Sequence, residues 1–286
     1  MNILSIASSV AYGHVGNSAA VFPLQRLGAE VWPIATVRFS NHPGYGGFTG
    51  TVTEPAEVRA LIDGIAARGV LGTCDAVLSG YLGAAETGPV VLGAVDLLRA
   101  ANPGALYCCD PVIGDDGPGV YVRPGVAEFL RDRGVAAADI VTPNRFELAL
   151  LTGRPVASLA EAKAAAAALA ARLRPAGPRV VLVTSLRTEA TPADAIDLLA
   201  TAAGRCWLLR TPLLPIAVNG AGDALAALFL FHVLATGDAG AALAAAGSAI
   251  QGVLRRTLAA GSRELALVAA QQEIVAPSVR FAVEAG

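Results

Sequence analysis

The sequence predicts an α/β fold with a mostly parallel central sheet and helices on both faces. Three observations carry this. Short β-branched runs alternate with longer runs of helical spacing along the whole chain. The run RVVLVT at 179–184 is continuously apolar, as a strand covered by helices on both faces must be. No low-complexity tract, internal repeat or linker breaks the pattern, so a single domain over 1–286 is expected.

The elements follow in order. Residues 2–7 (NILSIA) and 31–37 (VWPIATV) read as strands. The stretch 39–52 breaks the alternation; rich in Gly and aromatics, it reads as a loop or hairpin over the sheet edge. Helical spacing over 54–68 puts Val58, Leu61, Ile62 and Ile65 on one face. A strand at 76–79, a helix at 86–100, a strand at 105–109, a helix at 125–133 and a strand end at 139–141 come next. An alanine-rich helix over 158–173 starts on a Ser158/Glu161 capping box. The strand 179–184 precedes two more at 195–200 and 206–210, joined through Ala203-Gly204. Helices over 222–235, 239–256 and 264–274 complete the chain.

Composition excludes several classes of function. Twenty-one Lys+Arg against 23 Asp+Glu leave a net charge of −2. No cation excess is present to neutralise a nucleic-acid backbone. Hydrophobic residues make up 54% and charged residues 15%, the reverse of a disordered chain. Mean hydropathy is +0.56, but the most apolar run, 224–235, is interrupted by His232 and is too short to span a bilayer. The N-terminus carries no basic residue before its apolar stretch, so no secretory signal is expected. Cys74, Cys108, Cys109 and Cys206 lack CxxC spacing, and the three histidines (14, 42, 232) are scattered. Reduced, mostly buried thiols, a cytoplasmic setting and no zinc site follow as expectations.

The chemistry is expected beyond the carboxyl ends of the strands. Asn219-Gly220-Ala221-Gly222-Asp223 opens the apolar helix. Its glycines turn the backbone tightly, and the helix start adds unpaired N–H groups and partial positive charge, which together suit phosphate oxygens. Asp223 then stands at the head of an otherwise apolar helix; an ordinary capping aspartate is the bland alternative. A Walker site is excluded, because Lys163 is the only lysine and no Gly-rich loop precedes it. A Rossmann fingerprint is also missing after the first strand. Asn144 and Glu147, three apart at the start of a helix, suit a hydrated Mg2+ or form a capping box. Asp110 is a third acid at a strand's carboxyl end, or a plain turn aspartate.

These segments together resemble the ribokinase superfamily: GAGD at the helix start, NxxE after an earlier strand and CDPV after another. SSVAYGHVGNSAA (8–20), FSNHPGYG (39–46), AVLSGYLG (76–83) and CDPVIG (109–114) are similar to pyridoxal kinases of the bacterial pyridoxamine/pyridoxal kinase type. The resemblance implies a ribokinase-like domain that moves the γ-phosphoryl group of ATP to the 5′-hydroxymethyl of pyridoxal. It implies Asp223 as the catalytic base, with the amides of Gly220, Ala221 and Gly222 holding the transferring group. Asp110, Thr142, Asn144 and Glu147 match positions around the phosphates and magnesium, with Asn144 and Glu147 acting on the metal through water. Thr184 and Ser185 match the nucleotide side, as do Thr211, Pro212, Leu213 and Leu214. Ser8, Val15, His42, Pro43, Gly44 and Tyr81 match the pyridoxal side. ATP, Mg2+, a monovalent cation and a homodimer complete what the resemblance implies.

One departure stands out. After FSNH the family usually carries threonine where this chain has Pro43, which lacks both the hydroxyl and the backbone donor. Weaker pyridoxal binding is the expected consequence. The residues 115–121 (DDGPGVY) read as a lid over the triphosphate. Two alternatives remain open: a hydroxymethylpyrimidine-type kinase, which FSNH and SGYLG oppose, and a weakly active B6-vitamer-binding protein, which Asp223 opposes.

Overall fold

The computed structural model describes residues 1–285. It contains one ten-stranded mixed sheet. The strands are β1 (Asn2–Val10), β2 (Glu30–Phe39), β3 (Gly50–Val52), β4 (Ala76–Ser79), β5 (Leu106–Cys109), β8 (Ile140–Val141), β9 (Val180–Leu186), β10 (Ala195–Ala202), β11 (Arg205–Pro212) and β12 (Glu284–Ala285). Their order is β12-β11-β10-β9-β8-β5-β4-β1-β2-β3. The six strands from β2 to β9 run parallel, and the strands outside them pair antiparallel. A separate ribbon, β6 (Gly114–Asp115) with β7 (Gly119–Val120), stands off the main sheet.

Helices cover both faces. On one lie α2 (Pro55–Ala66), α3 (Thr87–Ala101), α4 (Val126–Phe129), α5 (Val135–Ala137), α6 (Arg145–Thr152) and α7 (Leu159–Ala170). On the other lie α1 (Asn17–Arg26), α8 (Ala221–Thr236), α9 (Ala239–Ala259) and α10 (Gln271–Val275). Each face has its own apolar core. Helix α8 is apolar all round and buries Ala224 through Leu230 without a break. Each large apolar side chain in such a stretch contributes about 1.5–3 kcal/mol, so the head of this helix rests on a rigid base.

The Ser158/Glu161 capping box forms as expected, with Ser158 Oγ accepting from the Glu161 N–H at 3.1 Å and Glu161 accepting from the Ser158 N–H at 3.0 Å. The 39–52 segment is a hairpin: β3 returns antiparallel on β2. Three details depart from the sequence reading. Residues 17–26 form α1, which the periodicity does not announce because Pro23 sits inside it and its buried face consists chiefly of small residues. The helix expected over 264–274 exists only as Gln271–Val275; Leu265 and Leu267 are buried two residues apart, a spacing no helix face provides. The segment 125–133 is helical only to Phe129 and then loosens into a π-helical turn, Leu130–Gly134.

Among the described residues no helix is long and apolar enough to cross a membrane. Cys74, Cys108 and Cys109 are buried and all four thiols are free. The chain reverses direction across the sheet between β1 and β4, since β2 lies on one side of β1 and the later parallel strands on the other. A sheet of this kind opens its binding crevice at that point.

Candidate active site

A cavity of about 10 Å³ marks the β1/β4 switch point. It is lined by Ser5 and Ala7 of β1, Ser79 at the end of β4 and Gly80 after it, Gly16, Asp110 and Asp223. The elements bring these residues together for identifiable reasons. Gly16 has φ +54, and a side chain there would strike both the carbonyl and the hydroxyl of Ser8. Glycine therefore lets the loop after β1 fold back on the strand. That fold brings the Gly16 N–H toward the Asp223 carboxylate, and Gly16 joins Asp223 in lining the same cavity. It also puts buried Val15 beside Gly220. Ser8 is buried at the end of β1. Gly80 lies against Asp223, and the adjoining Tyr81 is half-buried, its carbonyl accepting from the Thr36 hydroxyl.

Gly220 is the N-cap of α8, with φ +82. It is glycine for two reasons: the backbone is left-handed, and a Cβ would run into the His14 carbonyl. No side chain caps this helix. Its first amides are therefore available for an anion. Asp223 sits in the first turn, half-buried at the crevice edge. Desolvation pushes its pKa up to about 6, while N–H donation from Gly16 and from its own backbone partly opposes the rise.

The start of α6 is built differently. Asn144 Oδ1 accepts from the Glu147 N–H at 2.8 Å, and Glu147 Oε2 accepts from the Asn144 N–H at 2.9 Å. The capping box foreseen as the bland alternative is present. Asn144 also donates to the Gly114 carbonyl at 2.8 Å, and Glu147 Oε1 accepts from the Ile113 N–H at 2.8 Å. Thus the pair also anchors the base of the β6–β7 ribbon. Arg145 fastens the ribbon's tip through an ion pair with Asp116. Burial pushes the Glu147 pKa up to about 7, against the pull of the three backbone donors.

Asp110 accepts from the Thr142 hydroxyl at 2.7 Å. Its pKa is raised first by burial, then by the charges of Asp223 and Glu147. Three carboxylates therefore converge. Tyr121, the residue after β7, is 51% exposed; partial desolvation raises its pKa first, and the charges of Glu147, Asp110, Asp223 and Asp115 raise it further. The sequence reading includes Tyr121 only as the last residue of the lid and gives it no role. The signal available was its place at the end of a glycine-rich turn, which alone does not point inward.

Thr184 is buried at the end of β9 and bridges to Asn144. Ser185 beside it is exposed, with φ +50, where the pairing of β9 with β10 slips. That bulge turns the two residues out of the ladder at the sheet's carboxyl edge. Thr211, the last residue but one of β11, is buried, while Pro212 and Leu213 are exposed and Leu214 is half-buried. In the hairpin between β2 and β3, His42 is half-buried and its Nδ1 accepts from the Gly44 N–H at 3.1 Å. Burial lowers its pKa, and Glu264 partly offsets this. Pro43 and Gly44 are exposed in a 3-10 turn, Pro43–Tyr45, whose first position suits proline's fixed φ.

Among the described residues no cluster of three or more His, Cys, Asp or Glu side chains is arranged to hold a metal ion directly. Asp110, Thr142 and Glu147 supply hard oxygens of the kind that suits contact with magnesium through its waters, although both Glu147 oxygens already accept from backbone N–H groups. Asn144 has both ends of its side-chain amide engaged, so it supports this set from behind.

Comparison with known proteins agrees with this geometry. The phosphomethylpyrimidine kinase family model matches residues 49–267. The chain is 59% identical over 281 residues to pyridoxal kinase PdxY of Granulibacter bethesdensis, covering 98% of each protein. It is 56% identical to pyridoxal kinase PdxY of Deinococcus radiodurans, covering 99% of this chain and 96% of that one. Among solved structures, pyridoxal kinase from Leishmania donovani in complex with ADP and pyridoxamine superposes with a TM-score of 0.91 at 29% identity, covering 100% of this chain and 99% of the other. The chain belongs to the pyridoxal kinases within the phosphomethylpyrimidine kinase family.

Proposed function

We propose that the protein transfers the γ-phosphoryl group of ATP to the 5′-hydroxymethyl oxygen of pyridoxal, giving ADP and pyridoxal 5′-phosphate in vitamin B6 salvage. The observation that carries this is the uncapped head of α8, with left-handed Gly220 next to the half-buried Asp223 at the switch point of the sheet. The O5′–P bond forms as the bond from the γ-phosphorus to the departing ADP oxygen breaks. Asp223 takes the hydroxyl proton; its pKa near 6 leaves it mostly ionised at neutral pH and still basic enough to act. A base so placed contributes roughly 10²–10⁴ in rate. The amides of Gly220, Ala221 and Gly222 hold the charge on the transferring group.

Ser8, Val15, Tyr81 and the His42-Pro43-Gly44 turn form the pyridoxal side. Thr184, Ser185 and Thr211–Leu214 form the nucleotide side. Asp110 and Glu147, with Thr142 and Asn144 behind them, would hold Mg2+ through its waters, where it neutralises phosphate charge. The β6–β7 ribbon, hinged on α6, serves as a lid that carries Tyr121 toward the phosphates. A cytoplasmic homodimer fits the family; light scattering on the purified chain tests the oligomeric state.

A coupled ATP assay with pyridoxal, pyridoxine and pyridoxamine, with and without Mg2+ and in sodium or potassium buffer, tests the reading. The family model favours one second reading, a hydroxymethylpyrimidine kinase. Faster turnover on hydroxymethylpyrimidine than on pyridoxal would replace the first reading by the second. A chain that binds the vitamers without turning any over would be a B6-binding protein.

A further inference from the structure

We propose that Glu264 is a positioning residue that locks the pyridoxal-side loop to the phosphate cradle. The proposal rests on the kinase reading above. Glu264 lies between α9 and α10, far in sequence from both loops it touches. Its Oε2 accepts from the His14 N–H at 2.9 Å, across 250 residues, and its Oε1 accepts from the Tyr45 hydroxyl, across 219. No reading of the motifs singles it out.

The carboxylate is itself held on firm ground. Glu264 N–H donates to Ser262 Oγ at 3.0 Å, and that hydroxyl donates back to the Glu264 carbonyl at 2.7 Å. Leu265 and Leu267 behind it are each 1% exposed. Tyr45 is gripped from two further sides, by the Arg263 guanidinium 4.9 Å above its ring and by the edge of Tyr12 at 6.2 Å. Gly13 has φ +93, and any side chain there would occupy the space of the Glu264 carboxylate.

From His14 the chain of contacts reaches the chemistry. The His14 carbonyl packs on Gly220, the first residue of the cradle. Two residues on, Gly16 lines the same cavity as Asp223, with its N–H toward that carboxylate. From Tyr45 the contacts reach His42, Pro43 and Gly44 in the same turn. One carboxylate therefore fixes the distance between the loop that seats the vitamer and the groups that act on its alcohol. A displacement of about 1 Å in such a pair costs on the order of 10²-fold in rate.

The test uses the full chain with Glu264→Ala, Glu264→Gln and Tyr45→Phe. Glu264→Ala should raise KM for pyridoxal by at least about ten-fold and lower kcat, with KM for ATP changed less than about three-fold. Glu264→Gln should restore most of this, because its amide oxygen can accept from His14 and its NH2 can donate to Tyr45. Hydrogen exchange should quicken over both 11–16 and 40–49 in Glu264→Ala, and over 40–49 alone in Tyr45→Phe. The inference is overturned if KM for pyridoxal is unchanged, if both KM values rise together, or if the two segments stay as protected as in the parent. Should Glu264→Ala not fold, Tyr45→Phe decides by the same KM split and exchange pattern. Should the parent not phosphorylate pyridoxal, the kinase reading fails, and the exchange arm still decides whether Glu264 locks the loops.

Discussion

Two helices begin at the carboxyl edge of the same sheet, and they begin in opposite ways. Helix α6 starts on Asn144, in extended conformation, with the Asn144 and Glu147 amides closed by a reciprocal capping box. Helix α8 starts on Gly220, left-handed, with no side-chain cap. The capped end has its N-cap and third amides taken by its own side chains, and it serves as the anchor for a ribbon and a carboxylate. The uncapped end keeps its donors and its partial charge for a ligand. A helix start is thus a scaffold or a site according to whether the chain satisfies it itself.

The largest test of this contrast is Asp223→Asn. It should lower kcat by roughly 10²–10⁴-fold while pyridoxal affinity, read by calorimetry, changes little. In the parent, kcat/KM should rise as pH increases through about 6, as the Asp223 carboxyl loses its proton, and then level off. A profile flat from pH 5 to 8 would remove Asp223 from the role of base. Next comes Gly220→Ala, which forces a side chain into a left-handed position and against the His14 carbonyl. A loss of about 10²-fold in kcat is expected, as for removal of a donor to the developing charge. If it merely lowers Tm, the cradle is a scaffold like α6.

Glu147 sharpens the other side of the comparison. Burial raises its folded pKa to about 7 from an ordinary value of 4.5. The folded state therefore holds the proton more tightly than the unfolded chain. Stability is greatest below about pH 4.5 from this group and declines as pH rises toward 7, by up to about 3 kcal/mol. Glu147→Gln should flatten that decline in denaturant titrations taken across the window. Asn144→Ala, which opens the α6 cap, should cost about 1 kcal/mol in the same titrations, and Asn144→Ser should recover most of it. Equal stabilities for the alanine and serine variants would mean that the cap carries nothing. The smallest effect is expected at Pro43. Because the residue is exposed in its turn, Pro43→Thr should lower KM for pyridoxal only by the equivalent of about 1 kcal/mol or less. An unchanged KM would show that the missing hydroxyl has no part in binding.

The alternation of elements, the capping box at Ser158 and the place of the GAGD turn before a buried helix are all local properties, and the sequence by itself determined them. Local spacing also left real ambiguities. Asn144 and Glu147 could equally face a metal or each other, and only the fold decided that they close their own helix and still lend a carboxylate to the crevice. Helix α1 was illegible because Pro23 and a small buried face hide its period, and 264–270 misled because its apolar residues are buried without a helix. Tyr121 and Glu264 earn their places from neighbours distant in sequence: Tyr121 from the charges of Asp110, Glu147 and Asp223, Glu264 from two loops it bonds across the chain. A backbone turn is written in the few residues that make it. A convergence of charges is written in the packing, and it exists only once both cores have brought distant segments together.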